Sequence, residues 1–278
     1  MKRILRAAWV NLLRWGSDPK YAAALVAVCL YLWNAYHDLI PYAQSLGHPE
    51  IAPYLFPLLP SLSGLITPVF LAYIILIIDA PFRTRHQQFV LQRTGKRIWA
   101  AGQIVYILAV SAIFTLVLWL LTFLLVLPSI QWTASWGPVL TTAANNGLFV
   151  GNYGCMKNIA PIPATLWVAW VMFSVCFLLG MLMMACNLYF PKGTGTTLVA
   201  GLAIIPLFLS LFSQSPGPIK RLLWISPLSW MDRSLMGLSN EGLPSYAFAA
   251  AAPFLLGCIL AAAVLANIHR VDLETDKE

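Results

Sequence analysis

Asp79 to Trp99 reads DAPFRTRHQQFVLQRTGKRIW, and it places Arg83, Arg85, Arg93, Lys96 and Arg97 between two long apolar segments. A short basic loop flanked by such runs is the signature of a cytoplasmic connection between membrane spans. The rest of the 278-residue chain agrees: 60% of it is hydrophobic, only 10% is charged, and the mean hydropathy is +0.77. That balance excludes an ordinary soluble domain and predicts an all-α integral membrane protein, because continuous apolar runs suit helices and not the alternating strands of a barrel.

Six stretches are long enough for a hydrocarbon core that takes about 20 helical residues. They lie near 21–41, 61–79, 98–127, 164–190, 196–213 and 246–268, and most Pro, Gly and charged residues fall between them. The whole of 1–278 thus reads as one transmembrane domain: an interfacial segment over 1–20, a cytoplasmic loop over 80–97 and an outer segment over 214–245.

Orientation follows from Lys and Arg. With the N-terminus inside, Lys2, Arg3, Arg6, Arg14, Lys20, Arg83, Arg85, Arg93, Lys96, Arg97, Lys192, Arg270 and Lys277 fall on the inner side, and only Lys157, Lys220, Arg221 and Arg233 fall outside. Positive residues collect on the cytoplasmic side, and six crossings return the C-terminus there, which predicts a multi-pass cell-membrane protein with both termini cytoplasmic. The net charge of +7 is explained by attraction to anionic inner-leaflet lipid, so nucleic acid is not called for.

At 100° per residue, Ile4, Leu5, Ala8, Trp9, Leu12, Leu13 and Trp15 share one half of a helix, and Arg3, Arg6, Asn11 and Arg14 share the other, with Val10 the exception. This predicts an amphipathic helix along the inner leaflet, acting as an anchor or as a subunit contact, and not a cleaved signal peptide. In the basic loop, Asp79 and Pro81 suit a helix start and Gly95 a helix stop. Phe82, Phe89, Val90 and Leu91 offer apolar contacts ringed by Arg83, Arg85 and Arg93. A helix that docks in a groove of a cytoplasmic partner and a loop that only fixes topology both fit these residues.

Chemistry inside the spans is sparse. His37 and Asp38 lie at the outer end of the first span, where a solvated interface pair is the commoner use and a proton relay the alternative. Asn34, Gln103, Asn187 and Asn267 suit hydrogen bonds between helices or a pathway lining. Phe173, Phe177, Met181, Met183 and Met184 suit a cavity for apolar cargo or plain helix packing. Cys29, Cys155, Cys176, Cys186 and Cys258 have no metal-ligand or redox spacing, so neither a metal site nor a structural disulfide is expected. Pro206 should bend the fifth span, and Trp224 and Trp230 should sit at the outer interface.

The order of elements resembles the permease subunit of type-2 ATP-binding-cassette (ABC) transporters. The run LQRTGKRIWAAGQIVYI, Leu91 to Ile107, is similar to the Arg/Gly-rich approach to the third span of that family, and ISPLSW, Ile225 to Trp230, resembles its outer Ser-Pro element. The resemblance implies that Phe82, Arg83, Arg85, Phe89, Val90 and Arg93 belong to a coupling helix seated in an ATPase subunit. It makes residues 3 to 15 the connecting helix and Pro216 to Met236 re-entrant outer helices, with Ile225, Pro227 and Trp230 at an outer gate. It also implies two ATPase copies that bind ATP and Mg, and a second permease, identical or related. No G-x-x-x-x-G-K-[ST] run occurs in this chain, so ATP hydrolysis belongs to the partner and the chain itself is non-catalytic. The expected activity is export of an amphiphilic or apolar cargo such as a drug, an antimicrobial peptide or a lipid-linked compound. The alternatives are a membrane scaffold or sensor that recruits a soluble partner, and a secondary carrier.

Overall fold

The structure is a computed structural model that describes residues 2–81, 91, 94–148, 153–191, 193–211, 222–236 and 243–271. Among the described residues the α-helices are α1 (Lys2–Leu13), α2 (Pro19–Tyr36), α3 (Leu39–Ser45), α4 (Ser63–Ile77), α5 (Lys96–Val126), α6 (Gly137–Asn145), α7 (Pro161–Tyr189), α8 (Thr194–Leu211) and α9 (Tyr246–Asn267). The β-pairing in this part of the chain is an isolated bridge between Ile51 and Ile130.

Local chemistry sets several of the helix ends. Asp18 caps α2, accepting from the Lys20 amide at 3.1 Å, and Pro19 opens the helix without an amide proton to leave unpaired. Ser245 caps α9 through the Phe248 amide at 3.2 Å. Gly95 has φ +81°, and its N–H donates to the Leu91 carbonyl at 2.8 Å immediately before α5; most of the helix it is expected to stop lies outside the described residues.

Among the described residues, four helical stretches are long and apolar enough to cross a membrane: Pro19–Ser45, Lys96–Ser129, Pro161–Tyr189 and Tyr246–Arg270. The expected second and fifth spans correspond to shorter apolar helices, α4 and α8. α4 starts later than expected because Pro57 and Pro60 lie in a 3-10 helix, Phe56–Ser61, that ends just before it. α8 continues through Pro206, and Thr67 of α4 donates to the Ala203 carbonyl, three residues before that proline, at 3.1 Å. Such side-chain donors help a proline-containing helix keep its backbone satisfied in an apolar setting.

The most enclosed helix is α7, which packs against α9, α5 and α8; α4 lies against α2 and α8, and α1 lies on α5. Phe177, Met181 and Met184 are buried in this core, while Phe173 is half-buried. Phe173 and Phe177 lie against Phe254 of α9, with ring centroids 6.4 and 5.9 Å apart. Met183 is fully buried as well, so the five residues read as a possible cavity lining pack, in a single copy, among helices of the same chain.

Hydrogen bonds and ion pairs sort the connections into two ends of the bundle. One end joins the start of α2 to the end of α4 (Lys20 to Asp79), the end of α7 to the segment after α4 (Asn187 to Ala80), and the start of α5 to the end of α9 (Lys96 to Val271). The other end joins Tyr42 to Asn146, Tyr54 to Thr133, Trp136 to Ile159 and Cys155 to Asp232.

Candidate functional site

The end of the bundle from which residues 82–90 emerge carries a polar network. Lys20 pairs with the Asp79 carboxylate and with Asp18, the latter at 3.0 Å, and Tyr21 Oη donates to Asp79 at 3.4 Å. The Lys20 side chain holds the Asp18 carboxyl below its ordinary range. Asp79, expected to cap the helix that follows it, thus receives donors from α2.

A second branch of the network joins the 3-10 turn Arg14–Gly16 that follows α1 to α5 and α4. Trp15 Nε1 donates to Tyr106 Oη at 3.2 Å, and Tyr106 Oη donates to the Leu76 carbonyl at 3.1 Å. Trp15 also stacks on Tyr21, with centroids 5.7 Å apart. Asn187 completes the ring, since its Nδ2 donates to the Ala80 carbonyl at 3.1 Å and its Oδ1 accepts from the Gly195 amide at 3.0 Å. The chain before 82–93 is therefore tied through Leu76, Asp79 and Ala80 to α5, α2 and α7, and the chain after it through Lys96 to the Val271 carbonyl beyond α9. Phe82, Arg83, Arg85, Phe89, Val90 and Arg93 themselves lie outside the described residues.

One expectation for α1 needs correcting. The helical projection put Asn11 on the charged half, but it is fully buried and donates to Gln103 Oε1 of α5 at 3.3 Å. The cause is a close approach of small residues: a Cβ placed on Gly102 would lie 2.7 Å from the Ala7 Cβ. That proximity turns Asn11 toward α5, where the two amides satisfy each other, and leaves Leu5, Trp9 and Leu13 on the outward face. Periodicity reports polarity along a helix but not a buried amide pair spanning 92 positions.

The remaining polar candidates do not all take the expected roles. His37 Nε2 lies 3.2 Å from Asp38 Oδ2 with both side chains well exposed, as a solvated interface pair. Asn34 is exposed, and Asn267 bonds within its own helix to the Ala263 carbonyl.

The opposite end has its own cap. Asp232 Oδ1 accepts from the Ser234 amide at 2.8 Å, from Ser234 Oγ at 2.7 Å and from Cys155 Sγ at 3.4 Å. Arg233 is buried over the rings of Trp167 and Tyr246, 5.3 and 4.5 Å from their centroids. Ser226 and Ser229 bond each other at 2.7 Å within the Ser-Pro element. Of the expected gate residues, Ile225 is 60% exposed and Pro227 is buried. Trp230 is buried too: its Nε1 donates to the Leu223 carbonyl at 2.7 Å and its ring meets Phe248. Trp224 does remain exposed. The described part of the segment includes the short 3-10 helices Pro227–Met231 and Arg233–Leu235.

Family models, curated proteins and solved structures were all searched for relatives of this chain, and none matches.

Burial, reinforced by the neighbouring Asp232 carboxylate, pushes the Cys155 thiol up to about 12. In a variant whose other four cysteines are changed to alanine, Cys155 should react with an impermeant maleimide very slowly at pH 7. The rate should rise about tenfold per pH unit through pH 10, tracking the thiolate fraction. Rapid labelling at pH 7 would place Cys155 outside this cap.

Proposed function

We propose that this chain is the membrane subunit of an ATP-driven transporter of the type-2 ABC kind. It crosses the membrane six times with both termini cytoplasmic and exports amphiphilic or apolar cargo. A separate ATPase subunit, present in two copies, binds ATP and Mg and hydrolyses the nucleotide, and a second permease, identical or related, completes the pathway. The single observation that carries this reading is the set of bonds that tie the chain on either side of 82–93 to the rest of the bundle, through Asp79 and Ala80 before it and Lys96 after it. A basic, aromatic segment held at both ends by helices of the bundle is what a mechanical connection to a cytoplasmic motor requires. Movement of that segment would be passed to α4 through Ala80, to α2 through Asp79 and Lys20, and to α5 through Gly95.

Six crossings are supported by the sorting of connections into two ends, since successive helices α2, α4, α5, α7, α8 and α9 alternate between them. The shorter α4 and α8 lie against longer neighbours. Because the centre of one copy is closed around α7, the pathway lies between two permeases.

Cargo class follows from what the spans bury: Thr67, Gln103, Ser111, Thr115, Thr122 and Ser174, all uncharged. A small ion would need ionic or dipolar contacts at depth, whereas an amphiphile does not. Cells that make the chain and its ATPase should accumulate less of an amphiphilic dye than cells with the permease deleted, and energy depletion should abolish the difference. Equal accumulation in the two strains, with the ATPase bound, would contradict export of such cargo.

The outer segment acts as the gate in this proposal, dipping its apolar edge into the outer leaflet. Leu222, Trp224 and Ile225 form that edge, exposed beside Phe248, whereas Leu228 is buried. In a cysteine-free background, Leu228→Cys should resist a bulky impermeant reagent by burial and Ile225→Cys by immersion in lipid. Free reaction at Ile225→Cys would turn the segment into a peripheral loop.

A further inference from the structure

An open groove of about 460 Å³ runs between the start of α1, the start of α5 and the end of α9, lined by Ile4, Arg97, Ile98, Ala101, Leu265 and Ala266. Five of these residues are apolar and the sixth is a cation, with no carboxylate in the lining. The volume falls within the roughly 300–1,000 Å³ of small-ligand sites. We propose that this groove binds one anionic glycerophospholipid, with an acyl chain along Ile4, Ile98, Ala101 and Leu265 and the phosphate at Arg97.

Three observations favour this occupant. The lining has the polarity of an amphiphile, apolar along its length with one positive group. Arg97 is exposed at the first turn of α5, and Leu265 and Ala266 close α9, so the groove sits at helix ends, where headgroups meet a bundle embedded in a bilayer. Lys2, Arg3 and Arg6 are exposed on the adjacent α1 and add to the positive field at the same level. Neighbouring Lys96 is instead committed to the Val271 carbonyl at 2.8 Å.

Bound lipid would act as a bridge. α1 touches α5 through Ala7, Asn11 and Gly102, and an acyl chain between Ile4 and Leu265 would join it to α9 as well. Such a lipid should raise the thermal stability of the chain, because it binds the packed arrangement and not the separated helices.

The inference shares with the proposed transport function only the membrane setting of the bundle, and it is tested without an ATPase. The full chain, purified and stripped of lipid in detergent, is titrated by native mass spectrometry with dioleoyl phosphatidylglycerol and with dioleoyl phosphatidylcholine. One phosphatidylglycerol should bind about fivefold more tightly than phosphatidylcholine, the preference set by one favourable basic contact. Arg97→Gln should erase the preference while leaving phosphatidylcholine unchanged, and Arg97→Lys should keep most of it. Ala101→Phe should weaken both lipids, and phosphatidylglycerol should raise the unfolding temperature of the wild-type chain but not of Arg97→Gln. Equal preference in wild type and Arg97→Gln would overturn the proposal, assigning the lipid to the general annulus. A preference seen only after removal of the acidic residues 272–278 would overturn it too, because the chain's own tail would then be the occupant.

Discussion

Replacing Gly180 by alanine is expected to cost about 3 kcal/mol, the upper part of the usual range for overpacking a well-packed core, and larger side chains should prevent assembly of the bundle. A Cβ at this position in α7 would lie 2.5 Å from Ile107 Cγ2 and 3.1 Å from Tyr73 Oη. Neither neighbour yields easily. Ile107 is β-branched and stiff about χ1 inside α5. Tyr73 Oη is held by Ser111 Oγ at 2.9 Å and by the Cys176 carbonyl at 2.7 Å, so moving it strands buried polar groups. In lipid, where apolar side chains gain little from leaving the solvent, close packing and such hydrogen bonds supply most of helix association. Gly201→Ala on α8 is the control: a Cβ there meets nothing within 4 Å, and its effect should stay within about 1 kcal/mol. Thermal unfolding in detergent measures both. Equal stability of the two variants would mean that α5 and α7 are not in contact as described.

If the chain works as proposed, the double variant Phe89→Ala, Arg93→Ala is expected to leave the bundle folded and to uncouple ATP hydrolysis from transport. An aromatic anchor and an arginine are the side chains that most often dominate a protein interface, each costing 2 kcal/mol or more when truncated there. Losing both would weaken docking by about a thousandfold if the effects add. Substrate-stimulated ATP hydrolysis should fall to the basal rate of the free ATPase. The substitutions leave Lys20, Asp79, Tyr106 and Asn187, which bind the chain before this segment, in place, and the unfolding temperature should not change. Normal coupling would remove the docking role from this segment.

The helical layout is legible because apolar runs and their boundaries are local properties. Asp18–Pro19, Gly95 and Ser245 mark helix ends through bonds that reach only a few residues, and a sequence window contains them whole. The network at the basic end is different. Lys20 and Asp79 are 59 positions apart, Trp15 and Tyr106 are 91, and Cys155 and Asp232 are 77. Each residue reads alone as an interfacial charge, an anchor or an isolated thiol, and only tertiary packing turns it into half of a pair. Trp230 shows the same limit, since an interfacial tryptophan and a buried one with its N–H on a carbonyl have identical surroundings in sequence. Asn11 is read wrongly from the helical wheel because the approach that buries it depends on Gly102, a residue on another helix.

The most direct test purifies the chain in mild detergent from its native membrane, as wild type and with residues 82–93 replaced by a Gly/Ser linker of equal length. Bound polypeptides are then identified by mass spectrometry. The transporter account predicts an ATPase bearing Walker motifs bound to the wild type and absent from the variant, with both chains monodisperse and equally stable. A stable wild-type chain that carries no ATPase would contradict it and leave a membrane scaffold or a secondary carrier as the better description.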